Sequence, residues 1–347
     1  MKAADGERLT GGKTLLGMTL DELRAVADET HLPSFAAKQL ARWLYVRRAA
    51  DVGVMTDLSL AARERLAAAY TVGRHAAVLT QRSLDGTEKY LFPVSGGATV
   101  ETVYIPDGER ATLCVSSQVG CRMNCLFCQT GKQGFEGHLT PGDIINQVVS
   151  QERPLTNIVF MGQGEPMDNL DSVLRATEIL TADYAMAWSP RRITVSTVGL
   201  RDKLRRFLDE SRCHVAVSLH TPFAEQRALL MPAERAMPLQ ETVDLLRRYD
   251  FSGQRRLSFE YIVFGGVNDS MSHARATARL LRGLSCRVNL IRYHEIPGVD
   301  LRPATEEAVL RLRDYLTGHG IFTTIRASRG QDIAAACGLL NTNGKKI

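Results

Sequence analysis

Cys121, Cys125 and Cys128 fall within eight positions of a 347-residue chain, in the run Cys121-Arg122-Met123-Asn124-Cys125-Leu126-Phe127-Cys128. Thiolates this close together suit a zinc ion or an iron–sulfur cluster, and both normally take four ligands. No fourth Cys or His follows at a usual spacing; His138, ten residues on, is the nearest. A structural zinc site is the plainer alternative. With only three sulfurs a cluster keeps one vacant iron, and an open metal position is where cofactor or substrate chemistry takes place.

A second set of polar residues ends apolar runs. Gly162 and Gly164 follow the run Asn157-Ile158-Val159-Phe160-Met161. A dinucleotide fingerprint does not fit, because the third glycine is missing and Pro166 stands where a helix would open. Glycines at a strand end instead let a ligand's polar atoms reach the backbone, and Glu165 adds a carboxylate able to receive an ammonium group. Ser196 and the triplet Ser218-Leu219-His220 end later runs of the same kind.

Two further thiols stand apart. Cys114 lies seven residues ahead of the triplet, and Cys337 lies in Arg329-Gly330-Gln331-Asp332-Ile333-Ala334-Ala335-Ala336-Cys337-Gly338. A lone cysteine beside alanines usually packs as a small hydrophobe, but the surrounding glycines, arginines and aspartate suggest an irregular segment. Asp107-Gly108 between two β-branched runs predicts a hairpin. A two-residue turn there would set Glu101 opposite Cys114, although Pro106 allows a longer loop and another register. Cys213 and Cys286 open strands and read as structural.

The elements that must position these groups come in two styles. Up to about residue 95 the pattern is mostly helical. Thr19 with Glu22 forms a capping-box signature, and Ser34 and Ser59 are candidate caps for the next two helices. The second of these helices carries Lys38, Arg42, Arg47 and Arg48 without an acid, either a solvated face or a phosphate-contacting one. Beyond it, seven short apolar strands beginning near residues 112, 157, 192, 214, 258, 287 and 322 alternate with helices, two of which start at Thr140-Pro141 and at Thr305. This is a βαβ pattern with a parallel sheet, an open or closed α/β barrel whose functional groups gather at the carboxyl ends of the strands.

Composition agrees with an ordinary soluble globular protein of one large and one small domain: 44% hydrophobic, 23% charged and a net charge of +5 that leans toward anionic partners such as RNA. The opening residues lack a secretory pattern and no run reaches membrane-spanning length, so a cytosolic protein is expected. In that compartment a tight cysteine group reads as metal-binding or redox-active.

The CxxxCxxC triplet, with Phe127 before its last cysteine, resembles the signature of the radical S-adenosylmethionine (SAM) enzymes. Membership implies a [4Fe-4S] cluster on Cys121, Cys125 and Cys128 whose open iron chelates SAM, and reduction that releases a 5′-deoxyadenosyl radical. The runs around Cys114, Gly164, Ser218 and Cys337 together resemble, from about Leu15 to Gly338, the RlmN-type adenine C2 methyltransferases of ribosomal and transfer RNA; Cfr-type enzymes, which methylate C8, share most of them. The resemblance implies a partial (β/α)6 radical SAM barrel over residues 96–340, a small helical accessory domain over 1–95 that grips RNA, and a tail from 341 to 347. It implies an S-methylcysteine at Cys337, Cys114 as the resolving thiol of a transient disulfide, and Glu101 as the proton acceptor. SAM contacts fall on Gly164, Glu165, Ser196, Ser218, Leu219 and His220, and on His294, where many members carry asparagine. The implied substrates are the peptidyl-transferase-centre adenosine of 23S rRNA and the adenosine beside the anticodon of certain tRNAs. The implied actor is a monomer with a low-potential electron donor of flavodoxin or ferredoxin type.

Overall fold

The computed structural model describes residues 13–341; the opening twelve residues and most of the expected tail lie outside them. Strand β1 (Lys13–Thr14) leads to α1 (Leu20–Glu29), where the Thr19 hydroxyl accepts from the Glu22 N–H and the Glu22 carboxylate accepts from the Thr19 N–H, the capping box the sequence predicts. Helix α2 (Ala36–Ala41) runs on into a π-helical turn over Arg42–Val46. Its cap is Phe35 rather than the expected Ser34: the Ala36 N–H is satisfied by the Pro33 carbonyl, so Ser34 lies inside a turn before the helix. Helix α3 (Leu60–Ala69) is capped by Ser59 as expected. Strand β2 (Tyr70–Thr71) then pairs in parallel with β1 and ties the two ends of the helical unit together.

Strands β3 (Leu79–Arg82), β4 (Glu88–Pro93), β5 (Thr99–Asp107) and β6 (Arg110–Cys114) form an antiparallel meander. The first two lie within the stretch read as mostly helical. The β5–β6 register also differs from expectation. Asp107 pairs with Arg110 and Val103, not Glu101, pairs with Cys114. The turn residues are Gly108 and Glu109; Gly108 takes φ +58° at the first turn position, where glycine is favoured. Because Glu101 and Val103 are two apart, Glu101 still shares the Cys114 face, one step along the strand.

A short pair, β7 (Gln118–Gly120) and β8 (Phe135–His138), brackets the cysteine triplet and α4 (Gln129–Gln133). Strand–helix alternation follows: α5 (Pro141–Val149), β9 (Asn157–Phe160), α6 (Leu170–Thr181), β10 (Ile193–Thr197), α7 (Arg201–Glu210), β11 (His214–Ser218), α8 (Ala224–Leu230), α9 (Leu239–Leu246), β12 (Leu257–Val263), α10 (Met271–Leu280), β13 (Arg287–Arg292), α11 (Glu306–Gly318) and β14 (Phe322–Ile325). Thr140 caps α5, with Pro141 in its first turn, and Thr305 caps α11. Each crossover helix lays its apolar face on the sheet, and β12 is buried at every position.

The ten-stranded sheet runs β14-β13-β12-β11-β10-β9-β6-β5-β4-β3, with the seven strands from β14 to β6 parallel. Its edges, β14 and β3, do not pair with each other, so the barrel is open at one side. The segment from Arg326 to Asn341 crosses that gap.

Candidate active site

The cysteine triplet sits between β7 and α4, just beyond the carboxyl end of β6. Cys121 and Cys125 are buried, Cys128 is partly so, and all three are free thiols. Burial raises the pKa of each; Cys128 and Cys121 add to the rise at Cys125, Cys128 adds to that at Cys121, and Cys337 adds to that at Cys128. Among the described residues no three Cys, His, Asp or Glu converge on the position of a single ion, whereas cluster ligands each bind a different iron. Three free thiols on one loop, not converging on a single ion, fit an iron–sulfur cluster. Asn124, inside the loop, takes φ +50°, a strained value for a non-glycine.

Around the cysteines, the ends of β9 to β12 are latched to one another by buried side chains. Glu165, 3% exposed, accepts from the Met167 N–H at 3.1 Å and, across to the end of β10, from the Val198 N–H at 2.9 Å. Burial raises its pKa to about 7. Arg227, 1% exposed, donates to the carbonyls of Val198, Ser218 and Leu219 and pairs with Glu234, so one guanidinium joins the ends of β10 and β11. His220, at φ +55°, accepts at Nδ1 from the Ile262 N–H of β12 at 3.0 Å, and Asn268 binds the His220 and Ile262 carbonyls. Burial pulls the His220 pKa down to about 3, so the ring is neutral, and it packs edge-on against Phe127 of the cysteine loop.

Gly164, Glu165, Ser196, Ser218, Leu219 and His220 thus gather at one end of the barrel. Neither glycine leaves room for a side chain. A Cβ on Gly162 would lie 2.7 Å from the Ser116 hydroxyl, and one on Gly164, at φ +100°, would lie 2.6 Å from Gln118. Gln118, Gln163, Asn268 and Arg227 escaped the sequence reading, since no motif or short spacing marks a residue that acts through distant backbone. Gln163 accepts from the Glu101 N–H at 2.8 Å and donates to Gln133 of α4, linking β5 to the cysteine loop.

The strap from Arg326 to Asn341 brings the remaining residues in. Gly330 donates to Asp85, while Asp332 accepts from the Ser83 hydroxyl and the Leu84 N–H, anchoring the strap to the β3–β4 turn. Arg329 pairs with Asp107 at 3.0 Å. Beyond Cys337, the Gly338 carbonyl accepts from the Gln129 N–H and the Leu340 carbonyl from the Thr130 hydroxyl, each at 2.8 Å. The strap is thus bonded to the residues that directly follow Cys128. Cys337 is exposed between these anchors and lines a barrel cavity of about 530 Å³ together with Cys114, Cys128, Met161, His294 and Arg326. His294 contacts Ser328 through Nε2 at 3.0 Å.

Cys114 is buried, which pushes its thiol up to about 12; Cys337 adds to that rise and Arg326 opposes it. Arg326 keeps its charge more firmly than a free arginine: burial works against it, but Glu260, Cys337 and Cys114 outweigh that. Glu101, 1% exposed, lies 3.2 Å from the Lys89 ammonium and accepts from the Asn341 N–H at 2.8 Å. Lys89 also reaches the Ala334 carbonyl at 3.3 Å. The carboxylate is therefore held by a buried lysine on one side and by the strap on the other.

Comparison with known proteins accounts for both halves of the chain. Residues 115–278 match the radical SAM superfamily, and residues 13–72 match the ribosomal RNA large subunit methyltransferase N-terminal domain. A probable dual-specificity RNA methyltransferase RlmN of Bacteroides fragilis is 61% identical over 94% of this chain and 96% of its own length. The dual-specificity RNA methyltransferase RlmN of Syntrophotalea carbinolica is 42% identical over 94% of this chain and 89% of its own. The crystal structure of a radical SAM methyltransferase from Sphaerobacter thermophilus superimposes with a TM-score of 0.90 at 39% identity, covering 95% of this chain and 99% of the other. No helix among the described residues is long and apolar enough to cross a membrane. With an accessory unit, an open parallel barrel and a cysteine loop that match from end to end, the chain belongs to the RlmN family of radical SAM RNA methyltransferases.

Proposed function

We propose that the protein methylates C2 of adenosine in RNA, at the peptidyl-transferase centre of 23S rRNA and beside the anticodon of certain tRNAs, by way of a methylated Cys337. The observation that carries this reading is the strap: it places Cys337 on the same cavity as Cys114, bonded on either side to the cysteine loop and to the β3–β5 meander that bears Glu101. Adenine C2 is an electron-poor amidine carbon and does not attack a sulfonium methyl; a thiolate does.

Cys121, Cys125 and Cys128 would hold a [4Fe-4S] cluster, with Glu165 and the strand ends around Ser196, Ser218, Leu219, His220 and His294 seating SAM. Together these groups supply, on reduction, a radical able to remove one hydrogen atom from a methyl group. Cys337 gives its thiol proton to solvent and accepts a methyl from one SAM molecule. After hydrogen removal the Cys337-borne carbon bonds to C2, and the adduct must then give up one electron, for which the group held by Cys121, Cys125 and Cys128 would be the acceptor. Glu101 takes the C2 proton, a role that its burial beside the strap supports. The Cys114 thiolate then attacks the Cys337 sulfur. The Cys337 sulfur–carbon bond breaks, the departing carbon keeps the electron pair and takes up a proton to complete the methyl group, methylated adenosine leaves, and a Cys114–Cys337 disulfide remains for external reduction.

On the RNA side, Lys38, Arg42 and Arg47 lie exposed on one helical face, with Arg47 stacked over Trp43 at 4.2 Å. They would contact phosphates while the target base, unpaired or flipped, enters the cavity. A low-potential flavodoxin or ferredoxin would deliver the electrons. The test is anaerobic reconstitution with iron and sulfide, followed by turnover of an rRNA fragment with methyl-labelled SAM and mapping of the product. The expected product is 2-methyladenosine; 8-methyladenosine would assign the chain to the other chemistry.

A further inference from the structure

The amino-terminal end of the barrel carries a polar surface that the chemistry above does not use. Arg110 opens β6, His214 opens β11 and Arg287 opens β13, while Arg256 stands one residue before β12. Side chains alternate along a strand, so Arg110 shares the face of Cys114, and Arg287 that of Asn289. All four residues line the barrel cavity. They do so far from Cys337: the six residues of β13 span about 17 Å at ~3.3 Å per residue. Arg191, just ahead of β10, adds its charge to the group, because Arg287, Arg110 and Arg191 all bear on Arg256.

These arginines lack the acids that usually accompany such a cluster. Among the described residues, none of Arg110, Arg191, Arg256 and Arg287 has a carboxylate within ion-pair distance. The two carboxylates lining the cavity are engaged elsewhere, Asp107 with Arg329 at 3.0 Å and Glu260 with Arg326 at 3.5 Å. Arg287 is steadied by the Phe322 ring, 4.8 Å from its guanidinium carbon. His214, 6% exposed, accepts at Nδ1 from the Arg256 N–H at 2.9 Å. Burial first, then the surrounding arginines, bring its pKa down to about 4, so the neutral ring carries its proton on Nε2, which has no protein partner among the described residues. Four cations bear on one another here beside a spare N–H donor, and an anion among them would relieve their mutual repulsion and accept that proton.

We infer that this ring is a binding site for linked phosphates, a di- or triphosphate group that is free or carried by a nucleotide. Guanidinium forks match phosphate oxygens two at a time. Strands about 4.8 Å apart set neighbouring forks against successive phosphates rather than against one. A nucleotide whose base reaches Cys337 does not also put its phosphate here, so the site is separate from the one that holds the methylated base.

The test is calorimetric titration of sodium tripolyphosphate into the full chain, with Arg256→Gln/Arg287→Gln and Arg110→Gln/Arg191→Gln variants. The second pair alters exposed arginines, so its unliganded melting temperature checks that the fold is kept. One-to-one binding, weakened at least tenfold in both double variants, is the expected result. Absence of binding at millimolar tripolyphosphate, or equal affinity in all three proteins, overturns the inference. A single-stranded oligoribonucleotide without a terminal phosphate is expected not to displace tripolyphosphate. Displacement at matched phosphate concentration would assign the ring to the RNA backbone and overturn the polyphosphate reading.

Discussion

The strand ends from β9 to β12 and the strap from Arg326 to Asn341 face one cavity and are built in opposite ways. At the strand ends, buried charged or polar side chains each join two neighbouring strands: Glu165, Arg227 and His220 bridge β9 to β10, β10 to β11 and β11 to β12. Removing a charged member would strand its partners in a dry interior. Beyond Arg326, buried charge reaches the strap only through its backbone, Lys89 at the Ala334 carbonyl and Glu101 at the Asn341 N–H. Backbone hydrogen bonds and half-exposed pairs hold it to a turn, a cysteine loop and a hairpin, and Cys337 stands exposed in its middle. The contrast teaches a division of labour. The latched arc suits groups that must stay fixed, while a strap released at modest cost suits the proposed role of Cys337, whose sulfur would meet a methyl donor, a base and a second thiol in turn. Ala334 at φ +50°, three residues before Cys337, adds local strain that favours release.

The sharpest break in this comparison is Cys337→Ala, which removes the carrier and leaves the arc whole. Methyl transfer should fall by more than about a thousandfold, the scale seen when a covalent nucleophile is lost, with iron content and SAM binding unchanged in the reconstituted protein. Arg227→Met attacks the other side. It leaves Glu234 buried and three carbonyls unsatisfied, and should cost about 3–5 kcal/mol in denaturant unfolding; an unchanged midpoint would show that the arc does not depend on its latches. A third test concerns Cys114. Burial holds its thiol near 12, so between pH 7 and 9 the attacking thiolate is a minority that grows about tenfold per pH unit. Single-turnover disulfide formation should rise in the same proportion, and a flat profile would mean that the thiolate is already formed. The smallest effect belongs to Asp332→Ala, which removes two strap anchors worth about 1–2 kcal/mol. Amide exchange from Gly330 to Gly338 should quicken while the melting temperature stays put.

Much of this was legible in the chain because it depends on neighbours in sequence. The parallel strands announced themselves as short apolar runs between helices, and Thr19, Ser59, Thr140 and Thr305 cap the helices they precede because a cap needs only a hydroxyl and three following residues. The β5–β6 register failed by a short slip: Asp107 and Gly108 look like a turn pair, but the turn takes Gly108 and Glu109 and leaves Asp107 paired with Arg110. A side-chain period of two kept Glu101 on the right face all the same. Lys89, Gln163 and Arg227 were invisible for a different reason, since their partners lie in other elements and no spacing rule connects Lys89 to Glu101 or Arg227 to Val198.

The central claim is that carbon reaches the base through sulfur, and the variant Cys114→Ala tests it most directly, because it should halt the reaction with the bond still in place. Incubated anaerobically with methyl-labelled SAM, reductant and an rRNA fragment, it should yield protein covalently joined to RNA, the labelled carbon bridging Cys337 and adenine in the digested peptide. Free methylated RNA at the wild-type level, with Cys337 unlabelled, would contradict the account.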